Sequence, residues 1–222
     1  MYIVNSIARF MQDGGFFMYP ILMVLALGFA IAVERFLYLS YTKKSNVKTW
    51  TQMLPLIEKG RFGEATTSAA ASNAAVGKIL AYGLSRLKST QRRDDIETAM
   101  EEGLMEIVPR LEKRTHYLAT FANISTLLGL LGTVTGLIQA FAAVANADPA
   151  QKAELLSASI SVAMNCTAFG LGAAIPMMLM YSFLQSKTTE LVDSLEMVSV
   201  KFLNMLKENA PQRQTGQAGN SA

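Results

Sequence analysis

Residues Leu118 to Val144 read LATFANISTLLGLLGTVTGLIQAFAAV, 27 residues without a charge. About twenty apolar residues cross the hydrocarbon core of a bilayer as a helix. At ~1.5 Å per residue this stretch reaches about 40 Å, so it tilts or projects from the membrane. Thr126, Gly129, Thr133, Gly136 and Ala140 recur within it every three or four residues, a stripe of small and hydroxyl-bearing side chains. Leu155 to Leu184 is a second such run, of 30 residues. Ser159, Ala163, Thr167, Gly170 and Ala174 repeat there at the same spacing. Small residues let helix backbones approach in lipid, where no hydrophobic force drives association. Gly132 and Gly136 add a close-crossing pair. Pro176 lacks a backbone donor and clashes with the carbonyl of Gly172, which predicts a local bend.

A third uncharged run, Phe16 to Val33, extends apolar through Phe36 to Leu39. It is rich in Phe, Met and Leu, with Gly28 its one glycine, and reads as a lipid-facing outer helix. Ala30-Ile31-Ala32 has the form of a cleavage site. Yet only Arg9 precedes the run, while Arg35, Lys43, Lys44 and Lys48 follow it. That order is the reverse of a signal peptide and predicts a retained anchor. Across all 222 residues 51% are apolar and 17% charged, where soluble domains carry about 25% charge. Three long uncharged runs in a chain of this length predict an all-α integral membrane protein with three transmembrane helices, not a soluble protein with buried helices.

Eighteen of the 20 Lys and Arg residues lie in 35–114 or after 184; Arg9 and Lys152 are the other two. The positive-inside rule then places the N-terminus outside and the large loop and C-terminal tail in the cytoplasm. The predicted layout is an outer interfacial helix over 1–15, transmembrane helix 1 over 16–41 and a cytoplasmic helical domain over 42–114. Transmembrane helix 2 follows over 115–144, a short periplasmic loop over 145–154, and transmembrane helix 3 with a cytoplasmic extension over 155–208. Residues 209–222, dominated by Pro, Gln, Gly, Asn and Ser, predict a disordered tail. The outer connection is too short to form a domain, so work outside the membrane falls to a partner.

Ile3, Val4, Ile7, Phe10 and Met11 share one helical face before Gly14-Gly15, as in an interfacial helix. The cytoplasmic part opens with 49–59, interrupted by Pro55, then a turn at Gly60-Arg61-Phe62-Gly63 and a helix over 64–72. Asn73 is placed to cap a helix with Val76, Ile79, Leu80, Gly83, Leu84 and Leu87 on one face. Asp94 or Asp95 is placed to cap another, with Ile96, Met100, Gly103 and Ile107 aligned and a bend expected at Pro109. Leu184, Thr188, Leu191, Leu195, Val198, Phe202 and Met205 alternate spacings of four and three, a heptad-like seam. Two partners for it are open: the chain's own loop helices, or a neighbouring copy.

The same inventory limits function. Net charge is +3, so no nucleic-acid partner is implied, and one cysteine and one histidine exclude a multi-ligand metal cluster. No nucleophile–base pair or phosphate-binding glycine loop appears, so an enzyme is not expected, and no cofactor is implied. Cys166 reads as a small packing residue, His116 as interfacial, and Glu34-Arg35 as an interface anchor. No Asp, Glu, Lys, Arg or His lies inside any of the three runs. Proton relays through lipid need a titratable group, so this chain cannot hold a midplane proton alone. Its threonine hydroxyls, donors and acceptors both, can surround a carboxylate brought by a partner. A lone Asp at the bilayer centre costs ~2.5–3.5 kcal/mol on the insertion scale, a cost that hydroxyls reduce. The small stripes also have a plainer reading, as packing seams without a pore, and a membrane Thr commonly bonds its own preceding carbonyl.

Leu131-Gly132-Thr133-Val134-Thr135-Gly136-Leu137-Ile138 followed by Phe141, and Thr167-Ala168-Phe169-Gly170-Leu171-Gly172-Ala173-Ala174-Ile175-Pro176, resemble the second- and third-span motifs of the MotA/TolQ/ExbB proton channel family. Glu34-Arg35-Phe36, the turn-helix over 60–65 and the segment over 73–84 fit the same pattern. The three-span layout is similar to ExbB and TolQ more than to the four-span MotA. The resemblance implies a homopentameric ring in the bacterial inner membrane around two copies of a single-span ExbD- or TolR-like partner, in contact with lipid. Proton flow past a partner Asp would then drive movement, with Thr133 and Thr167 matching the two family threonines that face it. Many ExbB and TolQ proteins carry a Glu shortly before the third-span threonine; here the stretch is Ser161-Val162-Ala163-Met164-Asn165. Ser161, Asn165, Thr126 and Thr135 are secondary polar candidates, with Gly129, Gly132, Gly136, Gly170 and Pro176 for packing and bend. The transported ion is expected to be a proton, with sodium the alternative. A non-conducting scaffold and a sodium-driven stator are the competing functions.

Overall fold

The computed structural model describes residues 14–90, 92–145 and 147–218, with side chains through Lys207. Apart from the turn at Gly14-Gly15, the expected interfacial helix lies outside the described residues. The described residues form six helices: α1 (Met18–Glu58), α2 (Phe62–Ala71), α3 (Ala75–Leu87), α4 (Arg93–Glu112), α5 (Thr115–Ala145) and α6 (Lys152–Ala218). Among the described residues there is no strand, and three helices are long and apolar enough to cross a membrane. The protein is all-α, as its uncharged runs predict.

The chain divides into two compact units, residues 1–35 with 114–184, and residues 36–113 with 185–222. The first holds the uncharged runs. Here Ile21 of α1, Ala122 of α5 and Cys166, Ala173, Ala174 and Met177 of α6 form one buried cluster. Outward faces stay apolar: Leu22, Met23, Leu27 and Phe29 on α1, Leu127, Leu130 and Val134 on α5, Leu171, Ile175 and Leu179 on α6. A helix apolar all round suits lipid and further subunits, not water. At one end of this unit Glu34 pairs with Arg114 at 3.7 Å.

The second unit has a core of large side chains. Met53 and Ile57 of α1, Ile79, Leu80 and Leu84 of α3, Met100 and Leu111 of α4, and Leu195 and Phe202 of α6 are buried. α3 packs against α2 and α4. A Cβ added to Gly83 would lie 2.8 Å from Met100 and 3.1 Å from the Phe202 ring. Thr188, Leu191, Leu195, Val198 and Phe202 are all buried, so the four–three seam of α6 packs on the chain's own helices.

Several local expectations are corrected. α1 does not break at Pro55; it runs 41 residues to Glu58 with Pro55 inside. Proline in a helix interior costs about 3 kcal/mol, and the burial of Met53 and Ile57 on either side offsets it. Asn73 does not cap α3. Ala74 is the N-cap, its N–H donates to Ser72 Oγ at 3.2 Å, and the Val76 N–H donates to Asn46 Oδ1 of α1 at 3.3 Å. The N-cap of α4 is Arg92, not Asp94 or Asp95. Thr90 Oγ1 accepts from the Arg92 N–H at 3.2 Å and donates to Asp95 at 2.9 Å. Pro109 lies within α4; the break before α5 comes at Lys113-Arg114, where Arg114 has φ 68°. That left-handed residue just past the helix end is where glycine usually sits. α6 continues through Pro176 and runs to Ala218, past the start of the expected tail. Residues 219–222 of that tail lie outside the described residues.

Candidate functional site

α5 and α6 touch through their backbones. A Cβ on Gly170 would fall 2.7 Å from the Ser125 carbonyl oxygen and 3.0 Å from Gly129 Cα. A Cβ on Gly129 would meet the Cys166 carbonyl, Gly170 Cα and Thr167 Cα, each at 3.3 Å. A Cβ on Gly132 would overlap Cys166 Sγ, and one on Gly136 would lie 2.9 Å from Ala163 Cβ. Cα–H groups and carbonyls thus pack where side chains normally do, as close crossing in lipid requires.

Two hydroxyls sit in this crossing. Thr133 Oγ1 donates to the Gly129 carbonyl one turn back at 3.1 Å, and Thr167 Oγ1 donates across to the same carbonyl at 2.9 Å. The two hydroxyls are also hydrogen-bonded to each other, with either as donor. Three oxygens share two hydrogens. One hydroxyl therefore donates to the carbonyl while the other donates to the first hydroxyl, and rotation exchanges the roles. In either arrangement, lone pairs remain on the hydroxyl oxygens. Both threonines are half-buried, which leaves part of each side chain open to whatever lies alongside.

The other polar candidates stand apart from this cluster. Thr126 donates to its own helix at Ala122 (3.2 Å), and Thr135 to Leu131 (2.9 Å) and Gly132 (3.2 Å). Ser161 is exposed and Asn165 half-buried. Pro176 is exposed, beyond the crossing. Gly129, Gly132 and Gly170 are buried in the contact and Gly136 half-buried.

The buried line on α5 runs Ala122, Ser125, Gly129, Gly132 and Ala140; on α6 it runs Ala163, Cys166, Gly170, Ala173 and Met177. It shares Gly129, Ala140, Ala163 and Gly170 with the two stripes read off the sequence, and has Ser125, Gly132 and Cys166 where those stripes have the adjacent Thr126, Thr133 and Thr167. Ser125 is the residue that reading missed; Cys166, expected as a small packing residue, is buried in this contact. Ser125 is fully buried, and its hydroxyl has no partner among the described residues. Counting back by a full turn from Gly129 reaches Ser125, so a strict helical period held the signal. His116 is exposed with its ring 6.1 Å from that of Tyr181. Among the described residues no group of three or more His, Cys, Asp or Glu side chains could hold a metal.

Three helices that each hold a long uncharged run, with a backbone-close contact between two of them carrying paired hydroxyls, define a multi-span membrane protein built around a polar crossing. The sequence pattern of the MotA/TolQ/ExbB proton channel family matches residues 71–197, which include α5, the crossing and most of α6's described length. An ExbB homologue named for biopolymer transport, from Methanothermobacter thermautotrophicus, is 30% identical over 199 residues, covering 87% of this chain and 68% of its own length. The Tol-Pal system protein TolQ of Haemophilus influenzae is 38% identical over 84 residues, covering 38% of this chain and 36% of that protein. The biopolymer transport protein ExbB of Aquifex aeolicus is 32% identical over 111 residues, covering 50% of this chain and 72% of that protein. The chain belongs to the MotA/TolQ/ExbB proton channel family. That is a family of channel subunits, not of enzymes.

Proposed function

We propose that this chain is the ion-conducting subunit of an energy-coupling motor in the bacterial inner membrane. Five copies surround two copies of a single-span ExbD- or TolR-like partner, whose Asp titrates beside Thr133 and Thr167. The N-terminus faces the periplasm, and residues 36–113 and the C-terminal extension face the cytoplasm. A proton crossing the membrane supplies about 2.3 kcal/mol per 100 mV, and repeated transfers drive mechanical work at the cell envelope.

The observation that carries this reading is the shared hydrogen bonding of Thr133, Thr167 and the Gly129 carbonyl, in a span region with no charge of its own. Two hydroxyls that exchange donor and acceptor roles can solvate a partner carboxylate in both protonation states. They donate to the anion and accept from the acid. A hydrogen bond to a charged group contributes about 1.5–3 kcal/mol. This chain offers Ser161 and Asn165 where many relatives carry a Glu, and the proton is the ion we assign.

One observation favours a second reading. Both hydroxyls are already hydrogen-bonded inside the chain, which suits a scaffold that only anchors a partner helix. Passive proton flux through the partner-bound complex in proteoliposomes separates the two. Valine matches threonine in shape and lacks only the hydroxyl. With Thr133→Val and Thr167→Val combined, the channel reading expects flux to fall at least about tenfold while the partner still co-purifies. Unchanged flux with the partner retained makes the chain a scaffold. Flux that requires sodium in place of protons makes it a sodium-driven stator.

A further inference from the structure

Between α1 and α6, within the unit of residues 36–113 and 185–222, lies an open cavity of about 560 Å³. In sequence it begins where the apolar stretches of α1 and α6 end. Leu39 closes the apolar stretch of α1, and Lys187 stands three residues beyond Leu184. The cavity wall is apolar at Leu39, Val47 and Leu191. Val47 is 60% exposed although it faces an apolar groove. Its rim is cationic, with Lys43, Lys44, Lys48 and Lys187 against a single acid, Glu190.

These four lysines are not equivalent. Lys43 Nζ is paired with Glu190 at 2.5 Å. The Lys187 ammonium lies over the Phe36 ring, 4.5 Å from its centroid. Lys44 and Lys48 are exposed and make no ion pair among the described residues. They lie four residues apart, one turn of the same helix face. An apolar wall one side chain away from two uncompensated ammonium groups, at the level where a span leaves the hydrocarbon, matches an amphiphile with a negative head. A neighbouring protein helix would match the wall but does not explain why the excess charge is gathered at the membrane end.

We propose that this groove binds an anionic phospholipid of the adjacent leaflet. Its phosphate is held by Lys44 and Lys48, and its glycerol and first acyl methylenes lie on Leu39, Val47 and Leu191. Basic side chains next to a membrane-spanning helix attract anionic lipid by about 1 kcal/mol each, or about fivefold per lysine. The site anchors α1 and α6 to the bilayer at the point where both leave it. The assignment of the leaflet as cytoplasmic rests on the orientation proposed above.

The test uses the partner-bound complex in nanodiscs of phosphatidylcholine with a minority of phosphatidylglycerol, released gently and weighed by native mass spectrometry. The wild type should retain phosphatidylglycerol over phosphatidylcholine, and Lys44→Gln with Lys48→Gln should lower that preference about 30-fold. Lys44→Arg with Lys48→Arg should restore it. Equal preference in the glutamine variant, or none in the wild type, overturns the site. A photo-crosslinking residue in place of Val47 should yield an adduct of phospholipid mass; an adduct with a second copy of the chain overturns the proposal in favour of a protein interface. Nanodiscs expose both leaflets, so this result does not depend on orientation, which protease accessibility in intact cells tests separately.

Discussion

In the unit that carries the uncharged runs, α5 and α6 meet through Gly129, Gly132, Gly136, Ala163, Cys166 and Gly170. In the other unit the core is Met53, Ile57, Leu84, Met100 and Phe202. The two regions are held together by different physics. Water drives large apolar side chains into a common interior, each fully buried one stabilising by about 1.5–3 kcal/mol. Lipid gives no such drive, because a leucine is as comfortable facing an acyl chain as facing another helix. Helices there gain only from dispersion and polar contacts at short range, and short range requires the absence of side chains. The same requirement puts the Thr133 and Thr167 hydroxyls against a backbone carbonyl, so packing and candidate chemistry share one surface.

The contrast can be broken at either end. Truncation should hurt most in the core that water built. Phe202→Ala removes a fully buried ring and should cost about 3–5 kcal/mol, read as early melting of the helices of residues 36–113 by hydrogen exchange while α5 and α6 stay protected. Enlargement should hurt most in the crossing that lipid permits. Gly170→Ala places a methyl 2.7 Å from the Ser125 carbonyl and 3.0 Å from Gly129 Cα, backbone atoms that cannot rotate away. It should cost about 1–3 kcal/mol and separate α5 from α6, measurable as a shortened lifetime of the complex in detergent.

The matched control is Gly83→Ala. Its nearest neighbour would be the flexible Met100 side chain at 2.8 Å, and alanine gains about 1 kcal/mol in helix propensity. Its stability should change by less than about 1 kcal/mol either way. If Gly83→Ala were as damaging as Gly170→Ala, the distinction drawn between the two regions would fail. Arg114→Gly sharpens the junction. It relieves a left-handed residue, worth about 1–2 kcal/mol, against loss of an exposed 3.7 Å pair with Glu34 worth under about 1 kcal/mol. A net rise in thermal stability is expected. The smallest effect should come from Glu190, whose carboxyl is held below its ordinary range first by the hydrogen bond from Lys43, then by that residue's charge. A depressed carboxylate contributes stability above its unfolded pKa of ~4.3 and loses it as pH falls through the folded value. Wild type and Glu190→Gln should therefore differ slightly in melting near neutrality and converge in acid.

The long-range outline of this fold was legible in its charges. Three uncharged runs predicted three apolar helices, and the alternating seam from Leu184 to Met205 predicted the buried face of α6, because burial in water leaves a strict period. Local termini were less legible. Asn73 and Asp94 are good capping residues by type, yet Asn46 and Thr90 supply bonds at those helix starts; at the first a side chain of α1 does so, which sequence spacing does not reveal, and at the second a residue just ahead of the helix takes the role. Pro55 failed to end α1 for a related reason, since buried neighbours outweigh one missing donor. The crossing was half legible. Thr133 and Thr167 were singled out from the sequence, and they meet. Ser125 was passed over because its neighbour Thr126 fits a small-residue stripe equally well, and composition does not say which of two adjacent small residues touches.

The central claim is that this chain contributes hydroxyls and its partner contributes the acid. Infrared titration of the partner's carboxyl band in the reconstituted complex tests it most directly. The account predicts a band that responds to pH in the wild type and whose apparent pKa shifts upward when Thr133→Val and Thr167→Val together remove the donors to its anion. An identical titration with and without the two hydroxyls would contradict it.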